Sequence, residues 1–153
     1  MKGTDPGASD SPPVVWAKPA AGKLMGRGHN AGDLLEAYDW EVIQRDDGLL
    51  RVGVHLPDHL RNPKGELFGG FTPTYVDLLA LHTYWAGREP TPGHPWLATV
   101  NMRVDYYAPV RGPRFELEGR VVVRSGKMTF VEVRFYNPHG ESLVYAYTTL
   151  KAV

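Results

Sequence analysis

The spacing of apolar positions changes along the chain, and the changes mark its elements. From Trp40 the period is two. Trp40 to Arg45 and Leu49 to His55 read as strands, with Leu50, Val52 and Val54 on one face of the second. Asp46-Asp47-Gly48 between them is a hairpin signal. Between Leu67 and Trp85 the alternation stops. The sixteen residues from Phe71 to Ala86 carry a single formal charge, Asp77. A surface helix carries several charges on its wet side, so this stretch predicts a helix buried nearly all round. Gly69 and Gly70 mark its start. Pro73 belongs in the first turn, where its missing N–H has no intrahelical acceptor anyway. Gly87, with Arg88 beside it and Pro90 and Pro92 beyond, marks its end.

Period two returns after a Pro/Gly loop from Thr91 to Pro95. Trp96 to Tyr107 predicts a long strand with Val100, Met102, Val104 and Tyr106 on one face, stopped by Ala108-Pro109. Phe115 to Arg124, Thr129 to Tyr136 and Ser142 to Lys151 are three more strands, parted by turns at Ser125-Gly126 and Asn137-Pro138-His139-Gly140. Ahead of all these, Asn30 to Tyr38 predicts a short helix, with Asn30 or Asp33 near its cap and Leu34 and Leu35 as its apolar contact. Met1 to about Gly28 is rich in Pro, Gly, Ala and Ser and predicts a mostly disordered tail, with Val14, Val15 and Trp16 as docking residues. The domain reading is therefore a tail, 1–28, and one domain, 29–153. The element order predicts an α+β fold: an antiparallel sheet curved around one long central helix, since a helix buries all its sides against one sheet only if the sheet curls.

Length and charge narrow the classes. A chain of 153 residues is one domain with room for a real core. Lys plus Arg number 17 and Asp plus Glu number 17, a balance that argues against a nucleic-acid partner. Cysteine is absent, which excludes disulfides, a thiolate nucleophile and cysteine metal sites. No apolar run reaches membrane-spanning length, and the N-terminus lacks the long apolar stretch of a signal peptide, so the expectation is a soluble cytoplasmic protein.

Within that frame Asp77 is the conspicuous residue. A carboxylate on an apolar helix is costly unless it is paired, hydrogen-bonded or used, and no Lys or Arg lies three or four residues away. It is either a satisfied structural group or a catalytic base or nucleophile. Gly69-Gly70 offers free N–H groups and a positive dipole end to a developing oxyanion, or else serves close packing. Asn62 before Pro63 is a routine turn starter as well as a candidate polar contact. The histidines are scattered. His55 and His59 are separated by Pro57, which disfavours a helical metal pair, and His82, five residues beyond Asp77, suits packing. No metal or cofactor is expected.

Asn62, Gly69-Gly70, Asp77 eight residues after the first glycine, the strand TVNMRVDYYAPV from Thr99 to Val110 and the RSGK turn from Arg124 to Lys127 together resemble the hotdog-fold acyl-CoA thioesterases of the PaaI-like (phenylacetyl-CoA-type) family. The similarity runs from about Glu36 to Val153. It implies a homodimer or dimer of dimers, helices side by side across a continuous sheet, hydrolysing an acyl-CoA thioester without a metal. In that role the Gly69 N–H polarises the thioester carbonyl, Asp77 is nucleophile or general base, Asn62 holds water or thioester, and Thr99 orients the water. One position departs. The family has His before the double glycine, and this chain has Phe68, which offers no useful hydrogen bond; the backbone N–H survives the change.

Phe68, Gly70, Arg124 and Lys127 are the candidate substrate-binding positions. Arg103 and Arg111 join Arg124 and Lys127 as basic groups for the coenzyme A phosphates, or all four are solvated surface charge. Trp85, Trp96, Tyr106 and Tyr107 either line an acyl pocket or fill the core. Along a helix Gly69 and Asp77 lie roughly 12 Å apart at 1.5 Å per residue, so both can serve one carbonyl only if they come from different subunits. Two readings stand beside the thioesterase. One is a non-catalytic hotdog module that binds acyl-CoA or another apolar ligand. The other is a hotdog hydratase, which lacks a His before the helix; Gly93-His94-Pro95 follows the helix instead.

Overall fold

The structure, a computed structural model, describes residues 17–153. Six strands form one antiparallel sheet: β1 (Glu41–Asp46), β2 (Leu49–His55), β3 (Leu97–Tyr106), β4 (Arg114–Ser125), β5 (Met128–Tyr136) and β6 (Ser142–Ala152). Their spatial order is β1-β2-β4-β5-β6-β3, which leaves β1 and β3 at the edges. The long helix α2 (Thr72–Trp85) crosses one face, entered through a 3₁₀ turn at Gly69–Phe71, with Pro73 in its first turn. Strand boundaries read from alternation agree to within two residues. The β1–β2 hairpin closes as Asp46 pairs Leu49 across Asp47-Gly48, with Gly48 at φ +70°.

The core lies between α2 and the sheet. Tyr75 is its hub: its ring stacks on Trp40 at 5.5 Å and meets Phe115 and Phe135 edge-on at 5.6 and 6.0 Å. Leu50, Val52, Val54, Leu117, Val131 and Val133 close round it, all fully buried. The helix lies hard against the sheet at Gly119. A Cβ there would stand 2.0 Å from Thr83 Oγ1, so only glycine lets β4 pass beneath the helix.

Three expectations need correction. The helix is not buried all round. Tyr75, Val76, Leu79, Ala80 and Thr83 are covered, while Pro73, Thr74, Asp77, Leu81, Tyr84 and Trp85 are only half-buried. A uniformly apolar helix does not reveal whether its own sheet covers every side. The short helix α1 (Asn30–Leu34) ends early. Glu36 takes a left-handed φ of 54°, and a 3₁₀ turn at Ala37–Asp39 follows, which seats Leu35 and Ala37 in the core and leaves Leu34 exposed. Its cap is His29, whose Nδ1 accepts from the Gly32 N–H at 2.9 Å; Asp33 instead accepts from the Gly28 N–H.

The stretch 17–28, expected as tail, lies on the body. Leu24 and Met25 are buried. Lys23 bridges Glu41, the Val42 N–H donates to the Gly22 carbonyl at 2.9 Å, and the Leu24 N–H donates to the Trp40 carbonyl at 3.1 Å. This stretch thus covers the start of the β1 edge. The proposed docking residues Val14, Val15 and Trp16 lie outside the described residues. Among the described residues no helix is long and apolar enough to cross a membrane.

Candidate active site

Strand β3 runs beside α2 in the opposite direction, so three of its side chains meet three levels of the helix. Leu97 reaches the last turn, Thr99 the middle, and Tyr106 the 3₁₀ entry. The middle contact depends on a bulge. Thr99 pairs Leu150 and Asn101 pairs Thr149, so Val100 is an extra residue on β3. The bulge corrects the predicted face. Met102 and Val104 pack on the core as expected, but Thr99, not Val100, joins them on the helix side, and Val100 is exposed.

That side chain meets Asp77. Thr99 Oγ1 donates a hydrogen bond to Asp77 Oδ1. Asp77 is half-buried on the open flank of α2 and takes part in no ion pair among the described residues. A carboxylate with one hydroxyl donor and no cation keeps lone pairs available to a proton or an electrophile.

Asn62, Phe68, Gly69 and Gly70 gather at the other end of the helix. Gly69 and Gly70 precede the first intrahelical bond, from the Phe71 N–H to the Phe68 carbonyl, so their own N–H groups have no acceptor within the helix. The two glycines differ. A Cβ at Gly69 would meet the Tyr106 ring at an ordinary 3.6 Å, whereas a Cβ at Gly70 would lie 2.8 Å from the Phe68 ring. Gly70 makes room for Phe68; Gly69 is not demanded by packing and leaves bare backbone for a ligand. Tyr106 donates its hydroxyl to the Gly69 carbonyl at 2.7 Å. The Asn62 Oδ1 accepts from the Lys64 and Glu66 N–H groups at 2.9 and 3.1 Å, which is the turn-forming use of an asparagine.

The basic candidates separate. Arg111 pairs Glu66 at 3.1 Å and so belongs to the Gly69 end. Arg124 reaches the Tyr84 carbonyl and Asp47, each at 3.5 Å, and ties the last turn of α2 to the β1–β2 hairpin. Lys127 is exposed in the β4–β5 turn, and Arg103 pairs Asp105 at 3.1 Å. The four do not form one cluster around Asp77.

The aromatics also separate. Trp96, Tyr106 and Tyr107 are 73%, 54% and 63% exposed, so they are not core. Trp85 and Trp96 line a largely apolar cavity of about 270 Å³ with Met25, Leu78, Leu81 and Leu97. It opens one turn past Asp77 and two residues before Thr99. Met25 enters it from the segment read as tail, which no periodic pattern signalled. His29, His82, His94 and Pro95 complete the wall. Burial, and then Arg45 and His29, push the His82 pKa down to about 4, so its imidazole is neutral near pH 7. Among the described residues no group of three or more His, Asp or Glu is placed to hold a metal ion.

The sequence matches the family described as Thioesterase superfamily over residues 64–144, just over half of the chain. The chain belongs to that superfamily. No curated protein matches it. Among solved structures it is similar to a Streptococcus mutans UA159 protein bound to acetyl CoA (16% identity, TM-score 0.66, covering 75% of this chain and 89% of that one). It is similar to a mutant thioesterase from Pseudomonas aeruginosa (17%, TM-score 0.67, 80% and 84%). It is also similar to a phenylacetic acid degradation-related protein from Ralstonia eutropha JMP134 (18%, TM-score 0.68, 80% and 89%). What these low identities share is the fold, the hotdog arrangement of a curved antiparallel sheet and one long helix.

Proposed function

We propose that the protein is an acyl-CoA thioesterase, hydrolysing the thioester to a free acid and coenzyme A. One observation carries the reading: a carboxylate with no cation beside it among the described residues, aimed by a threonine hydroxyl, on the open flank of an otherwise apolar helix. Asp77 serves as general base or nucleophile, and Thr99 orients it and the attacking water. The free N–H groups of Gly69 and Gly70 receive the carbonyl oxygen as it becomes an oxyanion. The acyl group enters the cavity walled by Leu81, Trp85 and Leu97, and Arg111 stands at the Gly69 end for a phosphate. The bound acetyl CoA of the Streptococcus mutans relative supports this substrate class.

The roughly 12 Å of helix between Gly69 and Asp77 gives each site Gly69 from one subunit and Asp77 from the next. The edge of β3, along which no described segment lies, and the half-covered flank of α2 support a homodimer built across them, alone or paired into a dimer of dimers. One observation favours a second reading. Phe68 is 54% exposed beside Gly70, an apolar ring at the oxyanion end, which suits a module that binds acyl-CoA without cleaving it. Free-thiol release from short, long and aromatic acyl-CoAs by wild type and Asp77→Asn decides. Release that falls at least about a hundredfold in the variant, the scale of general-base loss, supports the thioesterase. Saturable binding without release supports the module.

A further inference from the structure

The cavity next to Asp77 is walled from three directions. Leu78, Leu81 and Trp85 of α2 form one wall, and Trp96 and Leu97 at the entry to β3 form another. Both fall within residues 64–144, the matched part of the chain. Met25 and His29 supply the third wall, and they come from outside that part. A wall built by a separate segment lets this chain set its own acyl preference without altering the residues around Asp77.

The backbone on either side of Met25 is tied down. Before it, the Leu24 N–H donates to the Trp40 carbonyl at 3.1 Å, and Lys23 Nζ donates to the Asp39 carbonyl at 3.0 Å. After it, the Ala17 N–H donates to the Arg27 carbonyl at 3.0 Å, and the Arg27 guanidinium lies 3.8 Å over the Tyr38 ring. The side chain rests in a gap on α1. A Cβ at Gly32 would stand 2.7 Å from Met25 Cε and 2.9 Å from its Sδ, so a methyl group there displaces the thioether. A fixed backbone thus carries an unbranched, adaptable side chain to the cavity.

We infer that Met25 is a specificity-determining residue: its thioether limits the length of the acyl group the cavity accepts. The inference rests on the thioesterase reading above and names the substrate class within it, apolar acyl groups short enough to end at the thioether.

The test is kcat/KM for thiol release across straight-chain acyl-CoAs lengthened one methylene at a time, in wild type, Met25→Ala and Gly32→Ala. Circular dichroism melts set a temperature at which all three are folded. Each methylene that gains a buried place raises kcat/KM roughly fourfold. In wild type the rise stops where the chain meets the thioether. Met25→Ala removes Cγ, Sδ and Cε, so the rise continues for about two or three more methylenes, and the longer chains gain roughly 15- to 60-fold over wild type. Gly32→Ala presses the thioether into the cavity and moves the optimum the other way, by about one methylene. A length profile unchanged in Met25→Ala overturns the inference and leaves the thioesterase reading standing. So does a fall of equal size at every length, the mark of packing alone. If Met25→Ala does not fold, Gly32→Ala carries the test, and an optimum that stays or lengthens overturns the inference. Wild-type release from aromatic acyl-CoAs with none from the series overturns this inference alone. No release by wild type from any acyl-CoA overturns both.

Discussion

Replacing Gly119 with alanine puts a methyl group where helix and sheet touch. The new Cβ would lie 2.0 Å from Thr83 Oγ1, 3.0 Å from Thr83 Cβ and 3.2 Å from its Cγ2. Two responses are open. The helix lifts by about 1.4 Å, the shortfall between 2.0 Å and the 3.4 Å at which ordinary contact begins. Otherwise Thr83 rotates and gives up its 2.7 Å hydrogen bond to the Leu79 carbonyl in a fully buried place. Overpacking a core costs about 1–3 kcal/mol, and a glycine removed from a strand returns at most about 1. The expected loss is about 2 kcal/mol, read as a lower urea midpoint at unchanged slope. Thr83→Ala deletes Oγ1 and Cγ2 and leaves one 3.0 Å contact, so the double variant recovers most of the loss, with a coupling of about 1–2 kcal/mol. Lifting the helix also moves Asp77, six residues or roughly 9 Å up the axis, away from Thr99 on a different strand. Thiol release at a temperature where Gly119→Ala is fully folded therefore falls as well, and Thr83→Ala restores it. Stability within about 0.5 kcal/mol of wild type, or a double variant no better than Gly119→Ala, refutes the reasoning.

Other expectations follow from the same coordinates. Thr99→Val lowers kcat roughly tenfold, the worth of one hydrogen bond to a charged group at about 1.5 kcal/mol, while urea stability changes little; equal kcat in steady-state assays removes Thr99 from the site. Two variants inactive alone, Asp77→Asn and Gly69→Val, regain about a quarter of wild-type activity when unfolded, mixed and refolded together, because half the dimers are mixed and each has one intact site; no recovery from mixed dimers rules out the shared site. His82 is held at about 4 against an ordinary 6.5, so the unfolded chain gains a proton between those values that the folded chain refuses. Stability is complete above pH 6.5 and declines as pH falls toward 4, with about 2 kcal/mol lost between pH 7 and pH 5. Urea midpoints of His82→Gln show a flatter pH dependence if that is right and the same slope as wild type if it is wrong. The buried Tyr75 hydroxyl has no hydrogen-bond partner among the described residues, so Tyr75→Phe leaves thermal stability unchanged or raises it by about 1 kcal/mol.

Most of the fold could be read from residue order because it is written in short-range periods. Leu50, Val52 and Val54 fix β2, Asp47-Gly48 its turn, and Pro73 and Gly87 the limits of α2. Asp77 stood out because its stretch has no other charge. What escaped depends on contacts between distant residues. The β3 bulge is one surplus residue in an unbroken apolar alternation, so Val100 was placed where Thr99 sits. Leu24 and Met25 have no periodic neighbours, and their burial follows from backbone bonds to Trp40 and Val42. Tyr106 read as pocket or core because composition does not tell which end of the helix a strand terminus will reach. Gly119 did leave a signal, a glycine in the interior of the alternating strand β4, of the kind that marks close approach.

The two edges of the sheet are unlike. Residues 22–24 bond along the start of β1, whereas no described segment lies along the outer side of β3. Sheets lengthen by adding strands to open edges, much as a polymer grows from its reactive end groups. A unit with one end group blocked by its own chain accepts a neighbour once and then stops. In the homodimer proposed above, joined through β3, growth would end at the pair, because residues 22–24 cover the start of each outward-facing β1 edge. In that assembly the segment over the start of β1 acts as a chain terminator. Without it the proposed pair would have second open edges and could become the repeat of a ribbon.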